Sequence, residues 1–461
     1  MGLEDDPISI SQVKQSSDSE KWIEVMKDEM KSMKDNSVWD LVELPKGVKP
    51  IGCKWIFKIK QDSKGNIVRY MARLVAKGFT QKECIDYKET FSPVSSKDSF
   101  RIIMALVAHY DLELHQMDVK TAFLNGNIDE TIYMVQPENF ESNDSKQLEN
   151  TVDQCIYLKF SGSKFIILVL YVDDILLASS DVGLLHETKR FLSSKFDMKD
   201  LGNASFVLVI QIHRDRSRGI LGLSQKTYID KVLSRFGMSN CALGDTPVAK
   251  GNKFSLHQCP KNELEKKDIK RFPYASAIGS LMYAQVCTRP NIVYIVGMLG
   301  RYLSNPDMDH WKKAKRVMRY LQRTKDYMLT YHRSSHLEIM GYSDSDFAGC
   351  LDSRRSTSGY IFMLAGGALR IVDGIEKPLR INCDNKAIEL YSKNNRSSSK
   401  SKHIDIKFLV VKERVQSLQV SIKHISTNSM IADPLTKGLP PKVYHENVTH
   451  MGVVHIDDVS V

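Results

Sequence analysis

Residues 165–179 read FIILVLYVDDILLAS, the most apolar stretch of the chain, broken by the adjacent carboxylates of Asp173 and Asp174. Two apolar runs around an acidic pair predict two strands whose turn carries the acids. Carboxylates between strands of this kind are costly unless they sit at an exposed turn or bind a cation. Upstream, LELHQMDV at 112–119 is another apolar strand, and Asp118 stands near its end. If the two strands are neighbours, Asp118 lies beside Asp173. Carboxylates so paired commonly hold two Mg²⁺ ions for in-line nucleotidyl transfer. From the local residues alone, an ordinary acidic hairpin turn is the plainer alternative.

The flanking sequence predicts a mixed chain. The first twenty residues are polar and read as loose. A helix follows with Trp22, Val25, Met26, Glu29, Met30 and Met33 at three-to-four spacing, which marks a core face. CKWIFKIK and IVRYMARLVAKGF, either side of Lys64-Gly65-Asn66, predict a basic β-hairpin. SFRIIMALVAHYD predicts an amphipathic helix. The Lys-rich KNELEKKDIKR after Ala249 reads as a linker or mobile surface loop. Helices are expected over Tyr274–Cys287, Asn291–Tyr302 and from His310. On the last, Lys312, Lys315, Arg316, Arg319 and Arg323 share one face: a solvated charged surface, or one that tracks phosphates. From Leu337 short strands alternate with a long helix around Ile404–Val415, and no internal repeat is present.

A chain of 461 residues, 42% hydrophobic and 26% charged, fits a soluble globular protein of two or three domains. Its net charge of +10 favours an anionic partner, nucleic acid first. Eight cysteines with no C-x-x-C pair argue against a zinc knuckle or disulfide scaffold and for thiols in a reducing compartment. The acidic start MGLEDDPISIS lacks the apolar core of a signal peptide. The longest apolar run, Phe165–Val172, is too short to span a bilayer, so no membrane partner is expected.

ARLVAKGFTQ with DYKETFSPV, QMDVKTAFLNG, YVDDILLAS and SLMYAQVCTRPNI together resemble the reverse transcriptase of copia-type LTR retrotransposon Pol polyproteins. GYSDSDFAGCLDSRRSTSGY, NCDNKAI, KSKHIDIKF and IADPLTKGLP resemble the ribonuclease H region of the same polyproteins. The resemblance runs from about Trp39 to Tyr444. It implies an α+β fold: a right-hand polymerase of fingers, palm and thumb, followed by a truncated ribonuclease-H-like α/β domain. The implied boundaries are an N-terminal lead and helix (1–38), fingers and palm (39–248), thumb and connection helices (249–336), the ribonuclease-H-like domain (337–440) and a tail (441–461).

By this resemblance, Asp118, Asp173 and Asp174 would be the catalytic metal-binding carboxylates of the palm, with two Mg²⁺ ions or Mn²⁺ as cofactor. Phe123 would lie under the sugar of the incoming nucleotide, and Arg73 and Lys54 would meet its triphosphate. For Lys54 a plain surface role stands beside that one. Asp344, Asp384 and Asp433 would be three of the four acidic metal ligands of the ribonuclease H fold, with Asp346 and Asp352 in the adjoining turn. Partners would be an RNA template and DNA primer, the RNA–DNA hybrid, and deoxynucleotide triphosphates. The place of action would be cytoplasmic, in virus-like particles, or nuclear, without secretion. A non-catalytic nucleic-acid-binding remnant is the alternative function, and a ribonuclease H-type hydrolase the third.

The sequence departs from the family in three places. Near 140–150, NFESNDSKQ passes directly to LENTVDQCIYLK, without the family's run resembling KLKKSIYGLKQASRQWY. Near 366–372, LAGGA leads straight to LRIVDGIEKPLRINCDN, without the helix whose Glu completes the ribonuclease H site, so hydrolysis is expected to be lost. Val209 stands where the family's VLGIQI-like strand has Gly, and a β-branched residue there is expected to strain the backbone.

Overall fold

A computed structural model of the chain describes residues 7, 9–35, 50, 52–61, 67–76, 97–119, 156–171, 174–251, 254–346, 349–369, 379–393, 411 and 413–459. Two helices open it, α1 (Ile10–Gln15) and α2 (Ser19–Asp35). From Ser9 onward the lead is therefore not loose: Ser9 caps α1 by accepting from the Gln12 N–H, and Val13 is fully buried; residues 1–6 and 8 lie outside the described residues. α2 lays Trp22, Met26 and Met33 inward, as its spacing predicts. It packs on the hairpin of β1 (Cys53–Gln61) and β2 (Ile67–Ala76). Trp22 meets Phe57 and Tyr70 edge-on, with ring centroids 5.5 and 4.8 Å apart. Strand alternation buries Trp55, Phe57 and Ala72 and leaves Lys54, Lys58 and Arg73 outside.

After α3 (Lys97–Tyr110) comes an antiparallel sheet of β3 (Glu113–Val119), β4 (Ile156–Ser161), β5 (Lys164–Tyr171), β6 (Asp174–Ser179) and β7 (Met198–Asn203). Its order is β4-β5-β6-β3-β7, so the FIILVLYVDDILLAS segment is a hairpin and the Asp118 strand is its neighbour. The central strands β3, β5 and β6 are covered on both faces, which explains the unbroken apolar runs of β5 and β6, whereas the edge strand β4 is exposed. Leu114, Val169, Leu176 and Ala178 join α3 in the main core. Met117, Ile166, Ile175 and Leu177 pack on Leu184, Leu185 and Leu192 of α4 (Val182–Lys195). Asp181 caps α4, accepting from the Leu184 N–H at 2.8 Å.

A second sheet begins with β8 (Phe206–Val207), β9 (Ile210–Asp215) and β10 (Ile220–Ser224). Helices α5 (Lys226–Arg235), α6 (Glu263–Lys270), α7 (Tyr274–Cys287), α8 (Val293–Gly300) and α9 (Met308–Arg323) then lead to β11 (Tyr327–His332). The stretch expected as a linker or mobile loop is α6. Asn262 caps it, accepting from the Glu265 N–H at 2.9 Å, and Ile269 is buried, an anchor its Lys-rich composition hides.

The third sheet is mixed. β12 (Met340–Ser345), β13 (Ser358–Leu364) and β14 (Gly367–Leu369) pair antiparallel. β15 (Leu379–Cys383), which leads into α10 (Lys386–Lys393), and β16 (Val420–His424) run parallel to β12, giving the order β14-β13-β12-β15-β16. Of the helix expected around Ile404–Val415, residues 411 and 413–416 are described and helical. The stretch expected as a tail supplies instead α11 (Pro441–His450) and β17 (Val453–His455), which pairs with β11. Tyr444 of α11 is buried, and its hydroxyl donates to the Asn291 carbonyl at 2.9 Å and accepts from Asn291 Nδ2 at 3.0 Å. One core cluster runs from Phe100 through Leu221, Leu281 and Val317 to Leu369 and Val453. Among the described residues no helix is long and apolar enough to cross a membrane.

Candidate functional site

The chain gathers carboxylates in two places. In the antiparallel register of β3 and β6, Asp118 stands directly opposite Asp174, and Tyr171 faces Asp174 from β5. Opposed residues of such a pair lie about 4.5–5.5 Å apart between Cα atoms, so two carboxylates on that face can share a cation. Gln116, two residues before Asp118 and therefore on the same face, donates from Nε2 to Asp174 Oδ1 at 2.8 Å. This neutral donor fixes the carboxylate without cancelling its charge. Gln116, Tyr171 and Asp174 line a small cavity with Phe100, Val207 and Leu208. Beside it the Lys97 ammonium lies 3.9 Å above the Tyr171 ring and 5.7 Å from that of Tyr283, with no hydrogen-bond partner. Asp173 and Phe123 fall outside the described residues.

Next to this cavity β8 turns into β9 through Leu208 and Val209, with φ of +53° and +63°. Two central residues of positive φ make a two-residue hairpin turn that favours Asn-Gly or Gly-Gly. Val209 is therefore strained where the sequence predicts strain. Tyr283 Oη donates to the Leu208 carbonyl at 2.7 Å and helps hold the turn.

The second gathering lies in the mixed sheet. Asp344 is on β12 and Asp384 directly follows β15, at the carboxyl ends of adjacent parallel strands. Asp433 comes from a 3₁₀ turn, Asp433–Leu435. One carboxylate oxygen from each lies within 4.8 Å of the others. Asp344 and Asp433 are buried, and burial pushes the Asp433 carboxyl up to about 6 despite the nearby Lys437. Lys437 Nζ lies 2.9 Å from Asp433 Oδ1 and 3.4 Å from Asp344 Oδ2. Thr436 Oγ1 donates to the same Asp344 oxygen. Asp346 and Asp352 do lie in the adjoining turns: Asp346 accepts from the Thr357 N–H, and Asp352 accepts from Ser255 Oγ at 2.8 Å.

The sequence profile of a family described as reverse transcriptase (RNA-dependent DNA polymerase) matches residues 36–153 and 143–250. A retrovirus-related Pol polyprotein from transposon TNT 1-94 of Nicotiana tabacum is 38% identical over 94% of this chain and 38% of its own length. The Pol polyprotein from transposon RE2 of Arabidopsis thaliana is 30% identical over 96% of this chain and 34% of its own. A putative transposon Ty5-1 protein of Saccharomyces cerevisiae is 32% identical over 54% of this chain and 89% of its own length. The chain belongs to the reverse transcriptase family of copia-type retrotransposon Pol polyproteins.

This chain spans little more than a third of the plant polyproteins it matches. The tobacco match extends over 504 residues, more than the 461 of this chain, so it opens gaps here. The family profile likewise breaks into two pieces at 143–153, where the sequence lacks its KLKKSIYGLKQASRQWY-like run. Among solved structures, a foamy viral protease-reverse transcriptase in complex with dsDNA aligns over 92% of this chain and 83% of its own, at 10% identity and a TM-score of 0.22, too slight a likeness to argue from.

The other candidate residues are dispersed. Lys54 and Arg73 share the exposed face of the β1–β2 hairpin, a sheet separate from that of Asp174. On α9, Arg316 donates to the Thr246 carbonyl at 3.2 Å, Arg323 pairs with Asp245 at 2.8 Å and Lys312 with Asp309 at 3.0 Å. Lys315 lies 5.6 Å from the Trp311 ring, and Arg319 is exposed. Two of the arginines thus hold the 245–246 segment. Sequence reasoning missed Gln116, Lys97 and Lys437. Only Lys437 carries a local signal, its spacing of four from Asp433 in IADPLTKGLP.

Proposed function

We propose that the chain is an RNA-directed DNA polymerase that extends a DNA primer on an RNA or DNA template. In this reading residues 39–248 are fingers and palm, 249–336 thumb and connection, and 337–440 a ribonuclease-H-like domain. The observation that carries the proposal is the register that sets Asp118 opposite Asp174 beside the hairpin turn. Two Mg²⁺ ions, or Mn²⁺ in their place, suit these hard oxygen donors. When bound they would supply charge stabilisation at the attacking and leaving oxygens. Asp118, Asp173 and Asp174 would hold them, with Gln116 orienting Asp174. Phe123 would exclude a ribose 2′-hydroxyl, and Arg73 and Lys54 would meet the triphosphate of a deoxynucleotide. Lys315 and Arg319, with the α9 face, would meet the phosphates of the hybrid.

A second reading, a nucleic-acid-binding remnant without turnover, is favoured by the strained Val209 turn beside the cavity. Primer extension on oligo(dT)-primed RNA separates the two. Extension that disappears in Asp173→Asn/Asp174→Asn supports the polymerase. Binding of the hybrid without extension sinks it and leaves the remnant. The strand order of the mixed sheet and its three aspartates support ribonuclease-H-like ancestry for the third domain. Cleavage of the RNA strand of a hybrid, lost in Asp344→Asn, is the test of hydrolase activity there.

A further inference from the structure

We propose that Lys437 is the resident cation of the Asp344–Asp384–Asp433 cluster and that its ammonium competes with divalent metal ions for the site. The proposal does not rest on the polymerase reading. Carboxylates whose oxygens lie within 4.8 Å of one another repel strongly when buried and require a compensating positive charge. The structure supplies one from within: Nζ of Lys437 touches both buried members, Asp433 at 2.9 Å and Asp344 at 3.4 Å. Asp433 Oδ1 has no hydrogen-bond partner although it is buried, so it is an acceptor aimed into the cluster and met only by the ammonium's charge.

Three features make the lysine a competitor rather than a bystander. It sits four residues after Asp433, its backbone N–H bonded to the Asp433 carbonyl at 3.2 Å, so its side chain is tethered over the site at high local concentration. It is 38% exposed, which leaves it a path to solvent if a metal displaces it. It also engages two of the three carboxylates that a hard cation would need, in a site whose affinity is set by ligand number and charge. Thr436 adds a neutral donor to Asp344 and further occupies that carboxylate.

The test is Mn²⁺ binding to the full chain, measured by titration calorimetry in an Asp118→Asn/Asp173→Asn/Asp174→Asn background that removes the other acidic site. Adding Lys437→Met should create one site at least about tenfold tighter than the parent's, since ligand charge sets such affinities. The gain should vanish with Asp344→Asn, and Lys437→Arg, which keeps the cation, should stay with the parent. Equal affinity in parent and Lys437→Met, or no binding in either, overturns the proposal. Should Lys437→Met fail to fold, Lys437→Gln takes its place: tight Mn²⁺ binding by the parent that Asp344→Asn abolishes sinks the idea, and weak binding by the parent alongside strong binding by Lys437→Gln upholds it.

Discussion

The two acidic sites of this chain are built on different supports. Near the β5–β6 turn, the partner of Asp174 is the neutral amide of Gln116; Lys97 stacks on the rings of Tyr171 and Tyr283, and Lys199 of β7 stands opposite Asp118. In the mixed sheet, two of three aspartates are met by the ammonium of Lys437, from the loop that carries Asp433. An amide donor orients a carboxylate and leaves its charge for an external cation, whereas an ammonium cancels it. The first arrangement suits a site that awaits a metal. The second suits one that folds without it.

The sharpest way to break this contrast is to remove the amide. Gln116→Met keeps the volume but leaves Asp174 unoriented. Primer extension, or Mn²⁺ affinity at that site, should fall about 10–100-fold, as when an outer-shell partner of a metal ligand is lost. An unchanged value would mean that Gln116 is only packing. The matching change in the other site, Lys437→Met, should lower stability by about 1–3 kcal/mol in the absence of metal, less than for a fully buried pair because the lysine is partly exposed. Mn²⁺ at about 100 times its dissociation constant should return about 2.7 kcal/mol. Denaturant melts with and without Mn²⁺ read both numbers.

Much of the first site was legible in the sequence, because two unbroken apolar runs around an acidic pair read as a hairpin and LELHQMDV as a further strand. What surrounds each carboxylate was not. Gln116 reaches Asp174 across 58 positions of sequence, and no local pattern encodes that. The basic stripe of α9 shows the same limit. Helical spacing correctly gives a shared face, but only the tertiary fold shows that the 245–246 segment lies against Arg316 and Arg323. With α6, composition outweighed a buried residue, Ile269, that anchors the helix.

A smaller effect is expected at Val209, on the rim of the first site. Val209→Gly removes the cost of a β-branched residue at φ +63°. The gain should be about 1 kcal/mol, the left-handed penalty less the entropy glycine loses on folding. If the strained turn also displaces Leu208 from the cavity it lines with Asp174, extension should rise together with stability. A rise in melting temperature without a change in extension would confine the strain to the fold.

The smallest effect concerns pH and asks whether acid sensitivity belongs to the carboxylates at all. His310 is fully buried between Phe254 and Tyr302, its Nε2 has no partner, and burial holds its pKa below the ordinary histidine value. The unfolded chain therefore takes up a proton, near pH 6.5, that the folded chain refuses. The stability it contributes is fully present above that pH and is lost as pH falls below it. Asp433 runs the other way. Its folded pKa of about 6 exceeds the unfolded 3.8, so acidification between those values favours the folded state. The two slopes oppose each other, and the wild-type melting curve should be shallow between pH 7 and 5. His310→Gln removes the first slope, so its stability relative to wild type should improve steadily as pH is lowered through that window. Asp433→Asn removes the second and should leave a protein more acid-sensitive than wild type. If both variants keep the wild-type pH profile, neither group governs the response, and the loss of stability in acid lies with exposed carboxylates elsewhere.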